Sequence, residues 1–440
     1  MQNRKRIAAV IALAAVLVLP VFGAGEKDTG RSATILMGAD VKFADFGMPI
    51  PATGETTILT KLFNEFTKET GASVVYKPID FSTGSTISID SLVASGQAPD
   101  VYHDYAGRAS KYMSPEYALA LDPYLAKEIR EYDKSVIASL KRNGKTYALP
   151  GVAWVNGFSV NLDILKEVGY TLPAQKDWTI DEFLKLAALI KAKAPGKYAT
   201  VLFAKNQSSE EWWKIWFYAF GASMYKPGDY TKTTLNSPQG VATLRFFQQM
   251  LDMGYVPADA AVQDDDTALD LWARGKVAFL SMQAAHTAAM KTAVEQGILA
   301  KPFEVAFIEM PHAKGVAHVP YTAGPSIAVA HGTDDAGQNK IAARLAWWVT
   351  GPMYQGYTIL QNKGYPTIIG MKAVDEPLIS QVAAVKAVAG VADWGLTNQN
   401  FSEVRAQLFP LLAQMYMGRK TPEAVLSEYE KTVNAILQGK

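Results

Sequence analysis

The 440-residue chain contains no cysteine. That absence excludes disulfides, thiolate zinc sites, iron–sulfur clusters, cysteine nucleophiles and a lipid-modified N-terminal cysteine. An excess of charge is missing too. The 43 basic and 42 acidic residues nearly cancel, and loss of Arg4, Lys5 and Arg6 with a leader tips the balance slightly acidic. Such a chain carries no electrostatic footprint for nucleic acid or anionic lipid. Past the N-terminus no run reaches about 18 consecutive apolar residues, so the mature protein is expected to be soluble. Catalytic signatures are also lacking: there is no Walker A pattern, no Gly-x-Ser-x-Gly, no His-Glu-x-x-His and no Gly-x-Gly-x-x-Gly after a strand. Asp264-Asp265-Asp266 lacks the glycine and terminal glutamate of an EF-hand and reads as a helix start. His312 and His318, with Glu309 nearby, read as ordinary loop residues; neither a metal nor a cofactor is expected.

What is present is a globular composition, 49% apolar with 11% aromatic and 19% charged residues. A single core rarely grows past roughly 250–300 residues, so two lobes are expected. Residues 1–25 place Arg4-Lys5-Arg6 before an apolar run, Ile7 to Phe22, that ends in Gly23-Ala24-Gly25. That order reads as a secretory signal, expected to be cleaved near Gly23–Gly25, with an uncleaved N-terminal anchor as the alternative. With no cysteine to carry lipid, a periplasm bounded by an outer membrane is the expected compartment.

Strand and helix signals alternate nearly throughout, which makes the class α/β. Thr34–Met37 and Val74–Tyr76 read as parallel strands around a helix with Ile58, Leu59, Leu62, Phe63 and Phe66 on one face, capped by Gly71. Asp100–His103 follows as a third strand. Thr179 with Glu182 forms a capping box, while Ser237-Pro238 and Thr421-Pro422 open two further helices. Thr200–Ala204, Val277–Ser281, Val305–Met310 and Ser326–Ala330 read as strands. No linker marks a boundary, so the chain is expected to cross between lobes more than once.

Aromatic residues beside polar ones in apparent loops are the functional signal. Tyr105 follows Asp104 at the C-terminal end of a strand, where α/β sheets bind ligands. Trp154 and Asn156 fall in Gly-Val-Ala-Trp-Val-Asn-Gly, Trp212 and Trp213 follow a polar stretch containing Glu210, and Trp394 precedes Asn398 and Asn400. Flat rings stack on the C–H faces of sugars, and Asp, Asn, Gln and Arg bond their hydroxyls. Trp178, Trp216, Trp347 and Trp348 fit helix faces or starts and are expected in the core.

The order of fragments identifies a family resemblance. It runs from Phe63-Asn64-Glu65-Phe66 through Ala94–Val101, Leu121–Leu125, Gly144–Pro150, Asn161-Leu162-Asp163 and Trp178–Phe183. It continues through Asn236-Ser237-Pro238, Ala273–Phe279 and Gly418–Glu423. Across nearly all of the mature chain this resembles the extracellular solute-binding proteins of ABC importers, the family that includes maltose-binding protein. The resemblance implies the type II periplasmic-binding-protein fold, two hinged lobes, each a sheet flanked by helices. One lobe would hold residues 31–155 and 312–368, the other 156–311 and 369–440. It also implies no enzymatic activity, a mono- or oligosaccharide as ligand, ABC permease subunits as partners and a monomeric state. As candidate ligand contacts it implies Asp40, then Asp104, Tyr105 and Arg108, then Glu210, Trp212 and Trp213; Gln283, Gly324 and Trp394 complete the set with Trp154 and Asn156. Trp154 stands where the maltose-binding relatives carry an acid, and Met282–His286 lacks their stacking tryptophan, so maltose itself is not implied. A polyamine caged by Asp40, Asp104, Glu210 and tryptophans is the alternative ligand. Sensing through a membrane receptor is the alternative role, and a paired-carboxylate glycan-active enzyme is a weaker rival.

Overall fold

The computed structural model describes residues 34–40, 58–79, 89–172, 178–226, 228–282, 287–320, 325–362, 364–371, 377–389, 392, 394–396 and 398–439. The expected leader, together with Gln283 and Gly324, lies outside the described residues, as does the side chain of Asp40.

The first sheet begins as the local signals dictate. β1 (Thr34–Asp40) and β2 (Ser73–Ile79) are parallel and flank the helix Ile58–Thr70. Leu62 and Phe66 of that helix are buried. Gly71 ends it at φ +73, a conformation only glycine adopts at no steric cost, and its N–H donates to the Thr67 carbonyl at 2.8 Å. β3 (Val101–Tyr105) pairs parallel to the other side of β1. A small hairpin follows, β4 (Lys141–Arg142) and β5 (Lys145–Thr146), turned by Asn143 and Gly144, both at positive φ. β6 (Leu149–Pro150) leads to the second sheet, made of β7 (Gly157–Asn161), β8 (Phe279–Met282) and β9 (Val305–Ile308). β10 (Ser326–Ala330) then returns to the first sheet.

The two sheets have the orders β2-β1-β3-β10-β6 and β8-β7-β9. β10 runs antiparallel to β3 and β6, and β7 runs antiparallel to both its neighbours. Each sheet is covered on both faces, which is why its strands read as continuous apolar runs. In β10, Ala328 and Ala330 pack with Leu62 and Phe66, whereas Ile327 and Val329 pack with Tyr102 and Tyr112. In β8, Phe279 faces Trp178, Phe183 and Trp216, and Leu280 faces Trp212 and Trp272.

The chain passes between the sheets at residues 151–156, again between β9 and β10, and again after Ile369. Gly151 N–H donates to the Ser326 carbonyl at 2.7 Å, and Ala153 and Tyr365 exchange backbone bonds of 3.1 and 2.9 Å. The crossings are thus hydrogen-bonded to one another. His312 exchanges backbone bonds with Trp178 and Ile180, and Ala313 donates to Ala219. The second crossing therefore leaves the second sheet's half of the molecule later than residue 312.

The expected caps are present. Thr179 and Glu182 form the reciprocal capping box, and Ser237, Asp264 and Thr421 each accept a hydrogen bond from a first-turn N–H. One expected strand is corrected. The expected strand Thr200–Ala204 is buried but joins no ladder; Ala199 just before it donates to the Tyr255 carbonyl, and Ala204 at its end donates to the Ala260 carbonyl. A short apolar run signals burial, and burial alone does not supply a strand partner. Trp178 and Trp216 are core residues as expected. Trp347 and Trp348 are only half-buried: Arg344 lies over the Trp347 ring at 4.2 Å, and Trp348 Nε1 donates to Glu69 at 2.8 Å.

Candidate functional site

The C-terminal end of β3 places Asp104 and Tyr105 beside the four-residue helix Ala106–Ala109, which carries Arg108. Asp104 is buried and its oxygens are occupied within this half of the molecule. Arg108 Nε and an Nη donate to it at 2.7 and 2.5 Å, Tyr105 N–H at 2.7 Å and the Tyr102 hydroxyl at 2.5 Å. Burial, with the Asp104 charge adding to it, raises the Tyr102 hydroxyl well above the usual phenol range, so it remains a donor. Asp104 thereby orients Arg108 and the Tyr105 backbone.

The neighbouring His103 is buried against the edge of the Tyr354 ring, centroids 5.4 Å apart. Burial lowers its pKa from 6.5 to about 4, against a smaller opposing pull from Asp104. The sign follows from the depressed folded-state value. The unfolded chain binds the extra proton between pH 6.5 and 4, so stability is full above that window and falls on acidification through it. The loss attributable to His103 should approach about 3 kcal/mol at pH 4. Urea midpoints at pH 7 and pH 4.5 should therefore differ less in His103→Phe than in the wild type; equal differences would contradict the assignment.

Tyr105 reaches the other half of the molecule, where it packs against the second sheet's core. Its hydroxyl lies 3.4 Å from Lys214 Nζ, on the helix Ser209–Ala219. Lys214 is fully buried, 3.5 Å from Glu210 Oε1 one turn earlier, and the other Glu210 oxygen lies 2.9 Å from Arg405 Nε. Arg405, on the helix Phe401–Arg405, also donates to the Gln207 carbonyl at 3.2 Å. All three side chains are at most 3% exposed. Charges removed from water to this degree persist only when paired, so the cluster is a fixed polar element beside Tyr105.

The expected aromatic loops are corrected in one respect. Trp212 and Trp213 stand on the helix Ser209–Ala219, and adjacent helical positions point about 100° apart. Trp212 packs on Phe203 at 5.0 Å, and Trp213 on Trp394 at 5.5 Å. Trp394 also meets Tyr218 at 5.2 Å, and all of these rings except Tyr218 are at most 4% exposed. Trp154 lies in the first crossing and is half-buried against the small cluster of Val152 and Ile359. A methyl group on Gly364 would come within 2.9 Å of its ring. Asn156 is buried two residues on.

Of the candidates, Tyr105 and Glu210 are brought together through Lys214, with Asp104 and Arg108 behind Tyr105. Lys214 and Arg405 were not anticipated. The available signal was Glu210-x-x-x-Lys214, a charge pair at one-turn spacing inside the aromatic stretch Trp212–Phe217. Glu309 is buried, accepting from Val319 N–H at 2.7 Å and lying 3.2 Å from His318 Nδ1. Among the described residues no cluster of three or more potential metal ligands occurs, and no helix is long and apolar enough to cross a membrane.

Comparison with known proteins agrees with this architecture. The chitin oligosaccharide binding protein superposes with a TM-score of 0.76 at 18% identity, covering 93% of this chain and 100% of that one. An ABC transporter solute-binding protein from Thermotoga lettingae, bound to alpha-D-tagatose, gives 0.75 at 18% identity, with 93% and 100% covered. The GacH receptor of Streptomyces glaucescens, solved unliganded and with acarbose, gives 0.74 at 17%, with 93% and 99% covered. These are two-lobed binding proteins, and at such identities they establish the fold. No curated protein matches the sequence. The family model described as bacterial extracellular solute-binding protein matches residues 52–356, more than half of the chain. The chain is a member of the bacterial extracellular solute-binding protein family.

Proposed function

We propose that the protein is the periplasmic substrate-binding component of an ABC importer, which captures a mono- or oligosaccharide between its lobes and presents it to the permease. It acts as a monomer and performs no covalent chemistry. The lobes are those the resemblance implies, residues 31–155 with 312–368 and 156–311 with 369–440, except that the bonds of His312 and Ala313 to Trp178, Ile180 and Ala219 and the packing of Val319 favour assigning residues 312–319 to the second. The observation that carries this reading is the meeting of Tyr105 and Lys214, one from each half of a two-sheet molecule, beside aromatic residues and fixed polar groups. Similar proteins named for tagatose, acarbose and chitin oligosaccharide support a carbohydrate as ligand. The binding surface is assigned to Asp40, Tyr105, Arg108, Trp154, Asn156, Gln283 and Gly324. Asp104 and Glu210 hold neighbouring groups, and Trp212, Trp213 and Trp394 back the wall.

A polyamine is disfavoured by the same geometry. Arg108 engages Asp104, and Arg405 and Lys214 face Glu210, so two of the three acids of the supposed cage have cations against them. A thermal-shift screen of neutral sugars and spermidine tests the choice. A ligand at 100 times its dissociation constant stabilises the protein by about 2.7 kcal/mol. At least one sugar should raise the midpoint by several degrees and spermidine should not; the reverse pattern would replace the sugar with a cation.

A further inference from the structure

The halves of the molecule also fit together through residues outside the assigned binding surface. Ala106 and Ala109 of the short β3-end helix belong to the first sheet's core with Tyr102, Ile327 and Val329. Phe401 and Val404 belong to the second sheet's core with Trp216 and Leu412. Where these helices meet, Gly107 faces the Phe401 ring so closely that a Cβ would stand 2.3 Å from one ring carbon and 2.8 Å from the next. Ser402 Oγ donates to the Gly107 carbonyl at 3.3 Å, and Ser110 Oγ donates to the Asn398 carbonyl at 3.4 Å. Phe401 is 1% exposed and held by the core around it, so the ring cannot retreat cheaply.

We propose that this contact is a built-in closure surface, and that Gly107 is the positioning residue that sets how often the lobes are closed before ligand arrives. The inference rests on capture between two lobes but not on the identity of the solute. If only the closed state binds, the apparent dissociation constant is the intrinsic one divided by the closed fraction. Lobe complementarity away from the ligand therefore raises affinity by populating the competent state in advance. An added methyl at residue 107 would act against the closed state alone. Gly107 has ordinary helical geometry, and alanine is the better helix former, so the first lobe itself should accept the change. The Tyr105 ring, 2.6 Å from the same added carbon, is the far end of a side chain that swings aside once the lobes part.

The test compares small-angle scattering from the ligand-free protein, Gly107→Ala and the double variant Ser110→Ala/Ser402→Ala. The double variant removes the two hydroxyl contacts without adding bulk, and it decides the matter should Gly107→Ala fail to fold. The radius of gyration should rise in Gly107→Ala and rise less in the double variant, with both urea midpoints near that of the wild type. Unchanged radii in folded variants would overturn the proposal. With the sugar found in the thermal-shift screen, Gly107→Ala should weaken binding about five- to ten-fold, as a matching fall in the closed fraction requires. The scattering comparison needs no ligand, so a screen in which no sugar binds would count against the carbohydrate reading and leave the closure result standing.

Discussion

Glu210→Ala should destabilise the folded protein by about 3–5 kcal/mol, because it leaves the buried cations Lys214 and Arg405 without the carboxylate that faces both. The size of the effect comes from what remains. A buried ion pair contributes little beyond a well-packed apolar substitute, but removing one member strands charge in a low-dielectric interior. Glu210→Gln keeps the shape and one acceptor, so it should fall between the wild type and alanine. Urea denaturation of the three proteins checks the order. A loss below about 1 kcal/mol in Glu210→Ala would mean that the cluster behaves as a surface salt bridge.

The second large effect separates the two kinds of tryptophan. Trp178 is 1% exposed, at the entry to the helix Ile180–Lys193, with Phe183 and Phe279 against its ring. Trp178→Ala should cost about 3–5 kcal/mol of stability, and should change affinity only indirectly. Trp154 is half-buried in the crossing, packed against Val152 and Ile359. Its truncation should cost less stability than Trp178→Ala and weaken sugar binding by about 2 kcal/mol or more, the scale of a binding hot spot. If Trp154→Ala lowers the melting temperature as much as Trp178→Ala while affinity holds, Trp154 is a hinge-packing residue and does not touch ligand.

The legible parts of the fold were those encoded locally. The Thr179–Glu182 box, Ser237-Pro238, Thr421-Pro422 and the Gly71 stop each satisfy helix-end groups within a few residues, so their signals need no tertiary knowledge. Strand partners were harder to foresee. Val201–Ala204 and β8 have similar apolar runs, yet only β8 finds a neighbouring strand, in β7. In the site, Asp104, Tyr105 and Glu210 were visible from their place in the chain. Arg405 was not, because its pairing with Glu210 depends on the Phe401 helix returning to the start of the Glu210 helix. Trp212 and Trp213 were legible as unusual but not as core, since the polar stretch before them concealed the helix that divides them between two apolar clusters.

Calorimetric titration of a sugar found in the screen tests capture between the lobes most directly, using the wild type, Tyr105→Ala from the first-sheet half and Trp154→Ala from the crossing. The wild type should bind one sugar per chain, and each substitution should weaken binding by at least tenfold while the protein stays folded. Failure of every sugar to bind, or a bound sugar indifferent to both substitutions, would contradict the account.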